Sequence, residues 1–157
     1  MRLRGSRAGT GFSGTPRDQP PGAGGAGAAG GGQPGAEADA LHGSWAATRW
    51  HYTSRDSPAR TVDVITDLGG SVTLSLSAGT FILAWEIPGI GGQSIGGRWA
   101  LRGGALEYSW PGVEGTESVG VRLGWHELAL STERSGWDFD GDGEDEPAGF
   151  VGVFVRL

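Results

Sequence analysis

The sequence predicts an all-β domain, an antiparallel up-and-down meander of about eight strands closing on itself, behind a glycine-rich N-terminal segment. Three observations predict it. After residue 40, apolar and polar residues alternate with period two along most of the chain. Turn signals such as Ala78-Gly79, Pro88-Gly89, Gly103-Gly104 and Pro111-Gly112 recur at roughly 8–14-residue intervals. No stretch carries a 3.6-residue period with caps.

The elements follow in order. Ser44–Tyr52 reads as the first strand. Arg60–Leu68 reads as a short extra strand or a helical turn. Ser71–Ser77 alternates strictly, Val72, Leu74 and Leu76 on one face and hydroxyls on the other. After a tight turn, Phe81, Leu83, Trp85 and Ile87 share a face, and Pro88–Gly92 is a loop. Ile95, Gly97, Trp99 and Leu101 alternate next, and Gly103-Gly104 is a two-residue hairpin signal. Leu106, Tyr108 and Trp110 share a face before Pro111 breaks the strand. Val119, Val121, Leu123 and Trp125 come next; His126, Leu128 and Leu130 continue past a turn near Gly124. Phe150–Leu157 is the final strand. Eight such strands close into a barrel or stack as a sandwich, and closure removes the exposed edges.

Composition excludes several classes. The chain has 157 residues, 32 of them Gly, with seven Trp, one Met and no Cys. Disulfides, thiolate metal sites and Cys nucleophiles are therefore excluded. All twelve basic residues are Arg, and the formal charge is −6, which argues against nucleic acid as a partner. No apolar run reaches the length of a transmembrane helix.

The chain divides near residue 40. Residues 1–40 hold twelve Gly, eight Ala and four Pro, and only Met1, Leu3 and Phe12 are apolar and larger than Ala. Such a stretch cannot bury enough surface to offset its ordering entropy, so a disordered tail or linker is expected. Arg2, Arg4 and Arg7 resemble the charged start of a leader, but no apolar core follows, so a secretory signal is not expected. Residues 41–157 hold all seven Trp and carry fifteen acids against eight Arg.

Ordered motifs across residues 41–157 then bring a family into view. Leu41-His42-Gly43-Ser44-Trp45 reads L-x-G-x-W, and Ala78–Phe81 reads x-G-T-F. Gly97-Arg98-Trp99-Ala100-Leu101 with Gly103–Glu107 reads G-x-W-x-L-x-G-x-x-L; the last strand ends in Arg156. Together these resemble the bacterial lipocalin-like domains, small calycin-type barrels. The resemblance implies a lipocalin-like β-barrel over 41–157. It implies that Trp45 lies across the closed end and that Arg156 packs over it, a cation–π contact plugging an apolar floor. It favours the cell envelope or the exterior as the address. This chain departs from the pattern in having no visible helix before the last strand, where the acidic segment Asp138–Pro147 stands.

Two candidate sites follow. Phe81, Leu83, Trp85, Trp99, Leu101, Tyr108 and Trp110 lie on three successive strands and would face one interior. They either line a cavity for a small hydrophobic molecule or simply fill the barrel. Asp138-Phe139-Asp140-Gly141-Asp142-Gly143 fits D-x-D-x-D-G, with Glu146 at the ninth position. Asp138, Asp140, Asp142 and Glu146 are candidate calcium ligands, but Gly149 stands where a bidentate Glu belongs. The alternative is a solvated acidic turn. His51 and His126 could meet across strands. No nucleophile motif or carboxylate cleft is apparent, so an enzyme is not expected. The expected function is a non-enzymatic binding module for a small hydrophobic ligand. The alternative is a filled barrel acting as a structural or protein-interaction module, its acidic loop stabilised by calcium.

Overall fold

The computed structural model describes residues 34–157, with side chains from residue 37. One helix, α1 (Pro34–Leu41), precedes β1 (Gly43–Ser54), β2 (Thr61–Asp63), β3 (Ser71–Ser77), β4 (Thr80–Ile87) and β5 (Gly91–Arg102). Then come β6 (Ala105–Ser109), β7 (Glu117–Leu123), β8 (Glu127–Trp137) and β9 (Glu146–Arg156). The strands pair antiparallel in the order β2-β1-β3-β4-β5-β6-β7-β8-β9, and β9 returns to pair with β1. Eight strands thus close an up-and-down barrel rather than a sandwich. The short β2 runs beside the upper half of β1, at His51–Thr53, while β3 takes the lower half, at Gly43–Ala46.

The up-and-down course gives the barrel two unlike ends. At the lower end the connections are tight turns, and α1 lies there. Gly103 and Gly104 sit at φ +57° and +78°, the pair of left-handed positions a two-residue hairpin turn needs. At the upper end lie the long connections: residues 55–60, 64–70, 88–90, 110–116 and 138–145.

Two β-bulges flank β9. In β1 the ladder slips between Ala47 and Arg49, and in β8 between Thr132 and Ser135. The first lets Trp45, Trp50 and Tyr52 all be buried, although strict alternation would put 45 and 50 on opposite faces. The core they join is continuous, running through Val72, Leu74, Leu76, Phe81, Leu106, Leu128, Phe150 and Phe154.

Four expectations are corrected. Of the stretch read as a tail, residues 1–33 lie outside the described residues, but 34–40 form most of α1. Its helix opens on Pro34, which suits a first helical turn, and Leu41 at its end is buried against the barrel floor. Eight residues without a strong apolar stripe gave no periodic signal. Trp125, expected on an inward face, is 98% exposed, because β7 ends at Leu123 and residues 124–126 form the turn. β8 extends to Trp137 rather than ending near Leu130, since its bulge breaks the alternation there. β5 begins at Gly91, inside the expected loop, because its glycines join the ladder without side-chain alternation to announce it. Arg60–Leu68 does both things considered for it, forming β2 and then a run of turns.

The narrowest packing is at Gly97. A Cβ there would lie 2.1 Å from the Ser109 carbonyl oxygen and 2.6 Å from the Phe81 ring. The absent side chain is what lets Phe81 lie across β5. Gly97→Ala is expected to lower stability by about 1–3 kcal/mol, as overpacking does. Chemical denaturation checks this; an unchanged midpoint would show that the Ser109 carbonyl and the Phe81 ring can both give way.

Candidate functional site

The barrel interior is mostly side chain. A cavity of about 50 Å³ remains mid-barrel, its free surface wholly apolar. Of the expected ligand-binding residues, Phe81, Leu83, Tyr108 and Trp110 line it, joined by residues not singled out from sequence, among them Trp50, Ile95 and Phe150. Trp85, Trp99 and Leu101 lie outside it. Trp99 is buried near the lower end, its Nε1 donating to the carbonyls of Ser77 (2.8 Å) and Thr80 (2.9 Å). Leu101 is half-buried, two residues further towards that end of β5. Trp85 is half-buried near the upper end, in register with Val72 and Gln93. Period-two alternation identifies the inward face but not which inward residues meet the remaining space; Trp99, although the cross-strand partner of Tyr108, turns its indole to the β3–β4 turn instead. The same alternation on β3, β5 and β9 carried the signal for most of the additional lining residues; Trp50 escaped it, because the β1 bulge breaks the period.

Polar groups gather at the cavity's upper side. Tyr108 faces Glu117 directly across β6 and β7, and its hydroxyl donates to Glu117 Oε2 at 3.0 Å. The Tyr108 ring sits 5.3 Å from Trp110 and meets Phe81 edge-on at 6.1 Å. Trp50 Nε1 donates to the Tyr52 hydroxyl at 3.0 Å, and Tyr52 stacks on Trp137 at 4.8 Å. Burial pushes both phenols far above the usual tyrosine range. Burial also raises the Glu117 carboxyl, and the Tyr108 hydrogen bond opposes that rise.

The lower end is sealed by a different set. Trp45 is 1% exposed, and its Nε1 donates to the Leu41 carbonyl at 2.9 Å. The Arg156 guanidinium lies 4.4 Å from the Trp45 ring centroid. It also donates to the carbonyls of Ala40 (2.7 Å) and His42 (2.9 Å). A cation at a helix C-terminus satisfies carbonyls left without intrahelical donors. One side chain thus ties α1 to the barrel floor.

The acidic segment is the β8–β9 hairpin loop. Carboxylate oxygens of Asp138, Asp140 and Glu146 lie within 4.8 Å of one another, an arrangement able to hold a hard cation. Asp142 is not part of that group; its carboxylate accepts from the Glu144 amide at 2.8 Å. Asp138 accepts from the amides of Gly141 and Gly143, and Glu146 from the Phe139 amide. Arg60 reaches Glu146 at 3.7 Å. Burial pushes the Asp145 carboxyl up, helped by Asp138 and Glu146 beside it.

The histidines do not converge. His51 is on the upper half of β1, near Asp63 (3.9 Å), and His126 is in the turn below β8. Asp63 and Asp67 serve the backbone after β2. Asp63 accepts from the amides of Ile65 (2.9 Å) and Thr66 (3.3 Å), and Asp67 from the Asp63 amide (2.8 Å). Among the described residues no helix is long and apolar enough to cross a membrane.

No protein-family model matches the chain, and no curated protein does. Among solved structures, a lipocalin-like protein from Bacteroides uniformis is similar, at 16% identity and a TM-score of 0.46, covering 75% of this chain and 99% of that one.

Arg156→Ala is expected to cost about 1–3 kcal/mol through the lost hydrogen bonds and ring contact. Trp45→Ala, which empties a fully buried site, is expected to cost about 3–5 kcal/mol. Denaturant unfolding ranks the two; equal or negligible losses would contradict a floor organised around Trp45.

Proposed function

We propose that the domain is a non-catalytic binding module whose barrel takes up the apolar end of a small molecule through its upper mouth. The observation that carries this is the asymmetry of the barrel around its apolar cavity. The floor is sealed by Trp45, Arg156 and α1, whereas the cavity's upper side is framed by long loops. The cavity's size bounds the ligand. An apolar cavity of roughly 150 Å³ admits benzene, so one of about 50 Å³ accepts only a few carbons without side-chain movement. Cyclopropane, with three carbons, is a suitable probe. It is expected to shift Trp emission, because Trp50 and Trp110 border the cavity. Leu83→Ala, which enlarges the cavity, is expected to tighten uptake while costing about 1–2 kcal/mol of stability, since Leu83 is only half-buried. Emission indifferent to the probe in both proteins would leave the barrel a filled scaffold.

The second reading concerns the β8–β9 loop and is favoured by the proximity of Asp138, Asp140 and Glu146. In it calcium stiffens the loop of a structural or protein-interaction module, binding weakly because no bidentate Glu completes the set. Calcium is then expected to raise the melting temperature and chelator to reverse the gain. Asp140→Asn should abolish the response and Asp142→Asn should leave most of it. A response that survives Asp140→Asn places the ion elsewhere.

A further inference from the structure

We propose that the mouth of the barrel seats a small protonated amine, with Glu117 as its counter-charge, the Trp110 ring beside the cation and the ligand's apolar body in the cavity below. This rests on the reading of the barrel as a binding module and names the chemistry its ligand would have.

Side chains around the cavity are aliphatic or aromatic, and the Tyr108 hydroxyl is the only polar side-chain oxygen among its lining residues. That hydroxyl leads directly to Glu117, which shares the inward face because it is Tyr108's cross-strand partner. A barrel interior needs no carboxylate for packing, and a partly buried one is costly unless something compensates its charge. Among the described residues no Arg forms an ion pair with Glu117. A carboxylate has about four acceptor positions, and the Tyr108 hydroxyl occupies one. Burial raises the carboxyl's proton affinity, as expected of an acid held beside apolar walls without a cation.

Two further features select a cation over a neutral hydrogen-bond donor. Tyr108, hydrogen-bonded to the carboxylate, and Trp110 present tilted rings 5.3 Å apart, and aromatic faces attract ammonium groups. The loops around the mouth, at 55–60, 64–70, 88–90, 110–116 and 138–145, carry eight acidic residues against Arg55 and Arg60. That field draws cations towards the mouth and repels carboxylates such as fatty acids. The small cavity limits the body to a short or branched alkyl group.

The test compares propylamine with 1-propanol, matched in carbon skeleton and differing in head group. Each is titrated by calorimetry into the full chain and into Glu117→Gln, whose amide oxygen still accepts from Tyr108 and so keeps the barrel folded. The amine is expected to bind at least about tenfold tighter than the alcohol, and the variant to bring the two together. Equal affinities for both compounds in the unaltered protein would overturn the amine inference and leave the cavity reading intact. A preference that persists in Glu117→Gln would assign it to the acidic loops and overturn the role of Glu117. Failure of both compounds to bind, alongside failure of cyclopropane, would overturn the binding reading itself.

Discussion

A row of eight strands laid flat would leave unpaired amides and carbonyls along two edges, an invitation to pair with other chains. Here the hydrogen-bonded seam between β1 and β9 removes both edges, running from Trp45 opposite Arg156 to Ser54 opposite Ala148. The rest of the molecule depends on that seam. It brings Arg156, at the end of the last strand, onto Trp45 in the first, and so makes the floor. It places β8 and β9 beside β1, which lets Tyr52 stack on Trp137 and roofs part of the interior. Parting it would open the floor, the core and the mouth together.

Closure at eight strands also limits what the interior can do. Barrels of this size are just wide enough to be filled by side chains or to hold one small ligand. Trp45, Trp50, Trp99, Phe81, Phe150 and Phe154 bring this one near the filled limit. The space left is a residue of imperfect packing among large rings, and it lies directly beneath the polar groups of the mouth. A site of this kind selects by size first and by head group second. Its walls are the core itself, so ligand uptake and stability draw on the same contacts.

Much of the fold was legible because one face of each strand is buried, which forces the period-two alternation that Ser71–Ser77 displays most plainly. Glycine turns marked the lower end well, since left-handed positions demand that residue. The sequence could not show where each inward ring turns, and so it grouped Trp99 with Phe81 although the Trp99 indole bonds the β3–β4 turn and Phe81 lines the cavity. Nor could it show which carboxylates of the acidic loop converge, because Asx-type turns reuse the same residues that bind cations, and Asp138 and Glu146 do both. Glu117 was missed because a single acid after a loop looks like surface. Only its pairing with Tyr108 puts it inside. The short α1 was missed because its hold on the barrel comes from Arg156, more than a hundred residues away in sequence.

The bulge in β1 has a bearing on how this chain can vary in length. Thr48 is the supernumerary residue there, opposed by nothing of its own on β9, where Phe154 and Val153 pair with Ala47 and Arg49. Striking it out would leave Trp45, Ala47, Trp50 and Tyr52 in simple alternation on the inner face. Removing a neighbour such as Ala46 would instead need Thr48 taken into the ladder to restore the count. The first strand therefore has slack at a single point, and an indel there can be absorbed without inverting the sheet. Elsewhere along the seam a one-residue change would turn the wall inside out.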